Sequence, residues 1–192
     1  MSETRTRILT EAEALMREGG PQAVTFDAIA GRVGVSKQAV IYWFRNKAQL
    51  LATIALSCLE AEAEAAITAA RAATGPADAR RRVVLALTGF HLGDLPRFRM
   101  MYAAAQLGSN PQWARDMLER VHPITARMYA AIAAALGPGE EDTRRAQAVA
   151  LHMAALGHAL LVAMTDAVGD PLRQPPESLA HSLADMLADQ AG

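Results

Sequence analysis

The residues best equipped for chemistry lie close together near the N-terminus. Lys37, Gln38, Ile41, Tyr42 and Arg45 share the outward side of a short helical stretch that follows Gly34-Val35-Ser36. Lysine and glutamine hydrogen-bond the edges of bases, and isoleucine meets the methyl group of thymine. The turn gives each of its residues a task. Gly34 accommodates an unusual backbone, Val35 plugs the angle between two helices, and Ser36 caps the free amides of the helix that it opens. Two short helices joined by such a turn lay the second helix in the major groove of DNA. An ordinary solvated face would account for Lys37 and Arg45. It accounts poorly for Ile41, Tyr42 and Trp43 in succession, which a short helix in a small subdomain cannot all bury.

No comparable constellation speaks for catalysis. The chain has no phosphate-cradling glycine loop, no zinc-protease His-Glu motif and no Gly-x-Ser-x-Gly elbow, so no enzyme is expected. His91, Asp94 and His122 lack the spacing of a metal site, and neither metal nor cofactor is expected. Cys58 is the single cysteine, and no secretory signal precedes the first helix, so the expected setting is reducing and cytoplasmic. Net charge is −1, yet the two lysines, Lys37 and Lys47, both fall in the first fifty residues, where seven basic groups face five acidic ones. A mildly positive head suits a polyanion at that end.

The elements that must hold these residues read as helices throughout. Hydrophobic residues make up 52 %, dominated by alanine, leucine and methionine, with few β-branched or aromatic residues and no hairpin signal. The expected class is all-α. A first helix spans about Thr4 to Arg17 and ends at Gly19-Gly20-Pro21; Thr25 caps a second that buries Phe26, Ile29, Ala30 and Val33. The third runs from Lys37 to Phe44, with Val40 and Phe44 inward. A long helix starts near Lys47 and ends before Gly75-Pro76; its Glu60, Glu62 and Glu64 point to partial exposure. Further helices fit Ala77–Leu92, Asp94–Leu107, Pro111–Leu136, Asp142–Val168 and Pro176–Gln190, with Pro123 expected to kink or divide the third of these. The uncharged run Ala148–Thr165 approaches the length of a membrane span, but His152, His158 and its alanine content favour a buried helix.

From Ile8 to Leu51, about a quarter of the chain, the sequence resembles the N-terminal domain of the tetracycline-repressor (TetR) family of regulators. The matching residues are Ile8-Leu9, Glu18-Gly19, Val24-Thr25, Ile29-Ala30, Gly34-Val35-Ser36-Lys37, Tyr42, Phe44, Lys47 and Leu50-Leu51. The resemblance implies that Thr25 and the amides of the second helix hold a phosphate and that Lys37, Gln38 and Ala39 read bases. It also implies that Tyr42 gives its hydroxyl to a phosphate and that Lys47 clamps another. Three positions depart from the family pattern. Ile41 stands where an aromatic residue is common, Trp43 where histidine is common, and Asp27 where some members carry a basic reader. These departures bear on operator preference and leave the fold untouched.

Residues 1–46 are therefore expected to form a helix-turn-helix domain and residues 47–192 a helical ligand-binding and dimerisation domain. The helix over Asp142–Val168 is apolar nearly all round, so it is buried on more than one side. Its small-residue stripe of Ala148, His152, Ala155, Ala159 and Val162 is the expected dimer face, joined by Leu179, Leu183 and Met186 of the last helix. The stripe of Val149, Met153, Leu156, Leu160 and Met164 is expected to fill the protomer's own core. Candidates for an apolar pocket are Phe90, His91, Met100, Met101, Tyr102, Gln106, Trp113, Met128, Tyr129 and His152, although methionine at helical spacing also serves as plain core filling. Together these readings describe a regulator, a repressor by family expectation. It binds a palindromic operator as a homodimer, and a small apolar or aromatic effector releases it. The alternative is a helical carrier or enzyme with the first three helices as a cap.

Overall fold

Glycine and proline punctuate the chain so regularly that each helix begins and ends at a residue with a physical reason to be there. The computed structural model describes residues 3–106, 111–171 and 174–189; of Pro21, Met100 and residues 102–106 and 111–117 it describes the backbone alone. Among the described residues the elements are α1 (Glu3–Ala23), α2 (Phe26–Val33), α3 (Lys37–Trp43), α4 (Lys47–Arg71), α5 (Pro76–Leu92), α6 (Leu95–Gln106), α7 (Pro111–Ala135), α8 (Glu141–Val168) and α9 (Pro176–Asp189), with no strand. The chain is all-α. In α1 the helical backbone breaks at Gly19 and at Gly20, which takes a φ of 66°, where the sequence places its end. Pro123 does not divide α7, which remains one assigned helix from Pro111 to Ala135.

The chain forms two compact units. One comprises Met1–Cys58 with Pro96–Met117, the other Leu59–Leu95 with Leu118–Gly192. In the first unit, Ile8, Ala12, Leu15 and Met16 of α1 meet Ile29, Ala30 and Val33 of α2, Val40 of α3 and Phe44. The same core takes in Leu50, Ile54 and Cys58 from the first half of α4, and Met101 of α6 packs against it. Each large side chain so buried contributes roughly 1.5–3 kcal/mol. The division expected at residues 46 and 47 therefore differs from the packing, in which α4 through Cys58 goes with α1–α3. Its side chains there have a core to enter.

The second unit is built from the rest of α4, α5, the later part of α7, α8 and α9, with α5 packed against both α8 and α9. Its core is rich in alanine: Ala63, Ala66 and Ala70 of α4, Ala79 of α5, Ala148, Ala155, Ala159 and Ala163 of α8, and Ala180 and Ala184 of α9. Small side chains let helix backbones approach, and Val83, Val84, Leu87, Met128 and Ile132 fill the remaining space. His158 joins α8 to the start of α9 by donating from Nε2 to the Pro176 carbonyl at 3.1 Å.

Two sequence expectations differ from the packing of α8 and α4. The small stripe Ala148, His152, Ala155, Ala159 and Val162 is buried inside the protomer, none of it more than 7 % exposed, so it is not a dimer face. Met153, Leu160 and Met164, expected in the core, are 53–66 % exposed instead. The periodicity located two apolar stripes correctly, but close packing inside the unit required the small one. On α9, Leu179 and Leu183 are half-buried and only Met186 is well exposed. The second correction concerns Glu62, which is fully buried while Glu60 and Glu64 are exposed. A spacing of two on a helix turns a side chain to the opposite face.

Candidate nucleic-acid interface

The geometry of α2 and α3 starts from their caps. Thr25 Oγ1 accepts from the Ala28 amide at 3.1 Å and Ser36 Oγ from the Ala39 amide at 3.2 Å, so both helices begin with a satisfied end. Gly34 closes α2 in the left-handed region (φ 75°, ψ 38°), and the amides of Gly34 and Val35 both donate to the Ala30 carbonyl. A Cβ at Gly34 would meet nothing within 4 Å, so the glycine answers a backbone requirement and not a lack of space. Val35 is half-buried against the core, and Val40 and Phe44 fix α3 from beneath. Arg7 donates to the Val33 carbonyl at 2.7 Å, and Arg32 grips Glu18 with both guanidinium nitrogens, tying α1 to α2.

What remains outward is the set of side chains that the sequence places on that side of α3. Lys37, Gln38, Ile41 and Tyr42 are exposed, Tyr42 at 78 %. Ala39 is half-buried. Trp43 is half-buried too, packed on the core with its ring edge-on to Tyr42 at 5.1 Å between centroids. Thr25 and Ser36 are exposed; Lys47 is half-buried at the start of α4. That start carries a cap the sequence reading passed over. Asn46 Oδ1 accepts from the Gln49 amide, and Gln49 Oε1 accepts from the Arg45 amide, each at 2.8 Å. The signal was present as Asn followed three residues later by Gln. Also missed was the pairing of Asp27, whose Oδ2 accepts from Lys37 Nζ at 2.8 Å across α2 and α3.

The sequence model of the bacterial regulatory proteins of the tetR family matches residues 8–54. Residues 8–54 are a tetR-family domain. Their helix-turn-helix is the DNA-binding element of a transcription regulator. A transcriptional regulator of the TetR/AcrR family from Thermobifida fusca is similar over 100 % of both chains, at 23 % identity and a TM-score of 0.67. The TetR-family transcriptional regulator PfmR from Thermus thermophilus is 22 % identical, with 95 % of this chain and 97 % of that one covered and a TM-score of 0.64. The multidrug binding protein EbrR, complexed with imidazole, is 20 % identical, with 97 % and 96 % covered and a TM-score of 0.63. At these identities the likeness is one of fold. No curated protein matches the sequence.

The second unit of this tetR-type fold gathers three of the predicted pocket residues around one that was not predicted. Glu62 Oε1 accepts from His91 Nε2 at 3.0 Å and from His152 Nε2 at 2.8 Å, and Tyr129 Oη lies 2.8 Å from His152 Nδ1. Burial pushes the Glu62 carboxyl up, but hydrogen bonds from His152 and His91 and their charge outweigh it and hold the group at about 2. An ionised carboxylate only accepts, so both Nε2 atoms donate to it. Burial, then the Glu62 charge, raises the Tyr129 hydroxyl, which keeps that donor protonated. Phe90 is half-buried, edge-on to His91 at 5.3 Å, and Met128 is fully buried. Met101 belongs to the core of the other unit. The side chains of Met100, Tyr102, Gln106 and Trp113 lie outside the described residues.

Proposed function

We propose that this regulator is a cytoplasmic, non-catalytic repressor that binds a palindromic operator as a homodimer and leaves it when a small apolar or aromatic effector binds the second unit. The observation that carries the reading is the capped α3, with Lys37, Gln38, Ile41 and Tyr42 turned outward over a core that holds them in place. In this reading Lys37 and Gln38, with Ala39 beside them, face base edges and Ile41 meets a thymine methyl. The Thr25 hydroxyl oxygen is engaged by Ala28, which leaves its proton for a phosphate; Tyr42 and Lys47 take two more. Ser36 holds the helix, and Trp43 braces Tyr42.

Homodimerisation is supported by the corrected face of α8. Met153, Leu160, Leu161, Met164 and Val168 are exposed along one side, with Gly157 among them and Met186 of α9 exposed as well. A continuous apolar face of this kind marks an interaction surface, and a glycine within it lets a second helix come close. An isologous pairing through it would present two copies of α3 to a two-fold operator. Effector release requires only that the ligand bind the two conformations with different affinity. The fold shared with EbrR, a multidrug binding protein complexed with imidazole, supports a small organic ligand for this protein.

The variant Tyr42→Phe/Lys47→Ala tests the DNA reading. Both changes remove phosphate contacts, so affinity should fall by at least about tenfold at every sequence and the salt dependence should flatten by roughly one charge. A helical carrier with an N-terminal cap would bind its small molecule equally well with or without these substitutions and would show no such loss.

A further inference from the structure

The two oxygens of Glu62 are treated unequally. Oε1 accepts from both histidines, whereas among the described residues nothing donates to Oε2, which is itself buried. A carboxylate offers about four acceptor positions, and a buried ionised group short of donors is strongly favoured to gain one. The side chains in hydrogen-bond contact with it among the described residues are the two histidines, with no lysine or arginine. Arg127 of α7 is held on the other face of α4 by Glu60 and Glu64, at 3.1 and 3.0 Å. Around the carboxylate stand rings: His91 and His152 in contact with it, Phe90 edge-on to the first and Tyr129 bonded to the second. A buried anion in an aromatic setting is the chemistry that recognises an organic cation.

Building on the effector reading above, we propose that Glu62 Oε2 anchors the effector, and that the effector is an aromatic or apolar molecule with a protonated nitrogen, an amine or amidinium, that donates to this oxygen. The network on Oε1 fixes the carboxylate in place, so the incoming N–H meets an acceptor already oriented. Glu62 also lies on α4, fifteen residues after Lys47 with which that helix begins, so the ligand would grip the helix that carries a proposed DNA contact.

Three one-ring probes of matched shape separate the alternatives: benzamidinium, benzamide and benzoate, titrated calorimetrically into the full-length protein and then added to its DNA complex. Benzamidinium should bind at least about tenfold tighter than benzamide, benzoate should not bind, and benzamidinium alone should release DNA. In Glu62→Gln, which keeps the side-chain shape and removes the buried charge, the preference should fall below about threefold. If that variant does not fold, the ranking in the native protein decides. Equal binding of benzamide and benzamidinium, preference for benzoate, or a cation preference that survives in folded Glu62→Gln would overturn the proposal. DNA release by benzamide or benzoate would leave the effector reading standing while this inference fails. Binding of none of the three overturns the inference, and a release screen with uncharged aromatics then decides the effector reading separately.

Discussion

Lys37 is asked to do two things at once. Its ammonium lies 2.8 Å from Asp27 Oδ2, with both side chains largely in water, so the pair itself contributes no more than about 1 kcal/mol to stability. In the proposed DNA reading the same aspartate has a larger meaning, because it sets a negative charge beside the outward face of α3 and would have to release Lys37 before that lysine reached a base. Asp27→Asn should therefore raise affinity for non-specific duplex by about two- to fivefold, with little change in thermal stability, as measured by anisotropy titration at fixed salt. An unchanged or weakened affinity would mean that Asp27 orients Lys37 productively. The same scale contains the feature hardest to read in advance. Glu60, Glu62 and Glu64 look alike in the sequence, and only the packing of α4 shows that the middle one is the buried acceptor for two histidines from distant helices.

At the scale of elements, α2 and α3 depend on one backbone angle. Gly34 sits at a φ of 75° with open space where a Cβ would go, so Gly34→Ala costs the left-handed conformation alone, about 1–2 kcal/mol. A fall in Tm of roughly 2–8 °C is expected, part of it recovered in Gly34→Asn; an unchanged Tm would contradict the account of the turn. Helix limits were legible because the stops are local: Gly19-Gly20, Gly34, Gly75-Pro76 and Gly169 end or open helices whatever surrounds them. The outward side of α3 was legible for a related reason, since a seven-residue helix has one buried side and Val40 with Phe44 marks it. Helix α8 was not, because it is apolar on nearly every side and periodicity cannot tell which stripe meets its own chain. The boundary between the two packing units was not legible for a similar reason. Leu50, Ile54 and Cys58 continue the pattern of α4 without a break, and nothing local announces that their core belongs to α1–α3.

The whole molecule joins a helix-turn-helix unit, proposed to read DNA, to a second unit proposed to pair it with a copy of itself. Specificity should then be a property of the dimer, with each α3 reading one half-site and the pair spaced by about one turn of DNA. The exposed apolar side of α8 gives the means to separate reading from pairing. Leu160 and Met164 are surface residues at 53 % and 60 % exposure, so charging them should leave the protomer folded while opposing association. The most direct measurement is selection of bound sequences from a random duplex library at physiological salt, carried out with the native protein and with Leu160→Glu/Met164→Glu. A palindrome is expected for the native protein, and weak or single half-site recovery for the variant, which should sediment as a monomer. Absence of any recovered motif from the native protein, with binding still weak at low salt, would show that this helix-turn-helix does not read an operator.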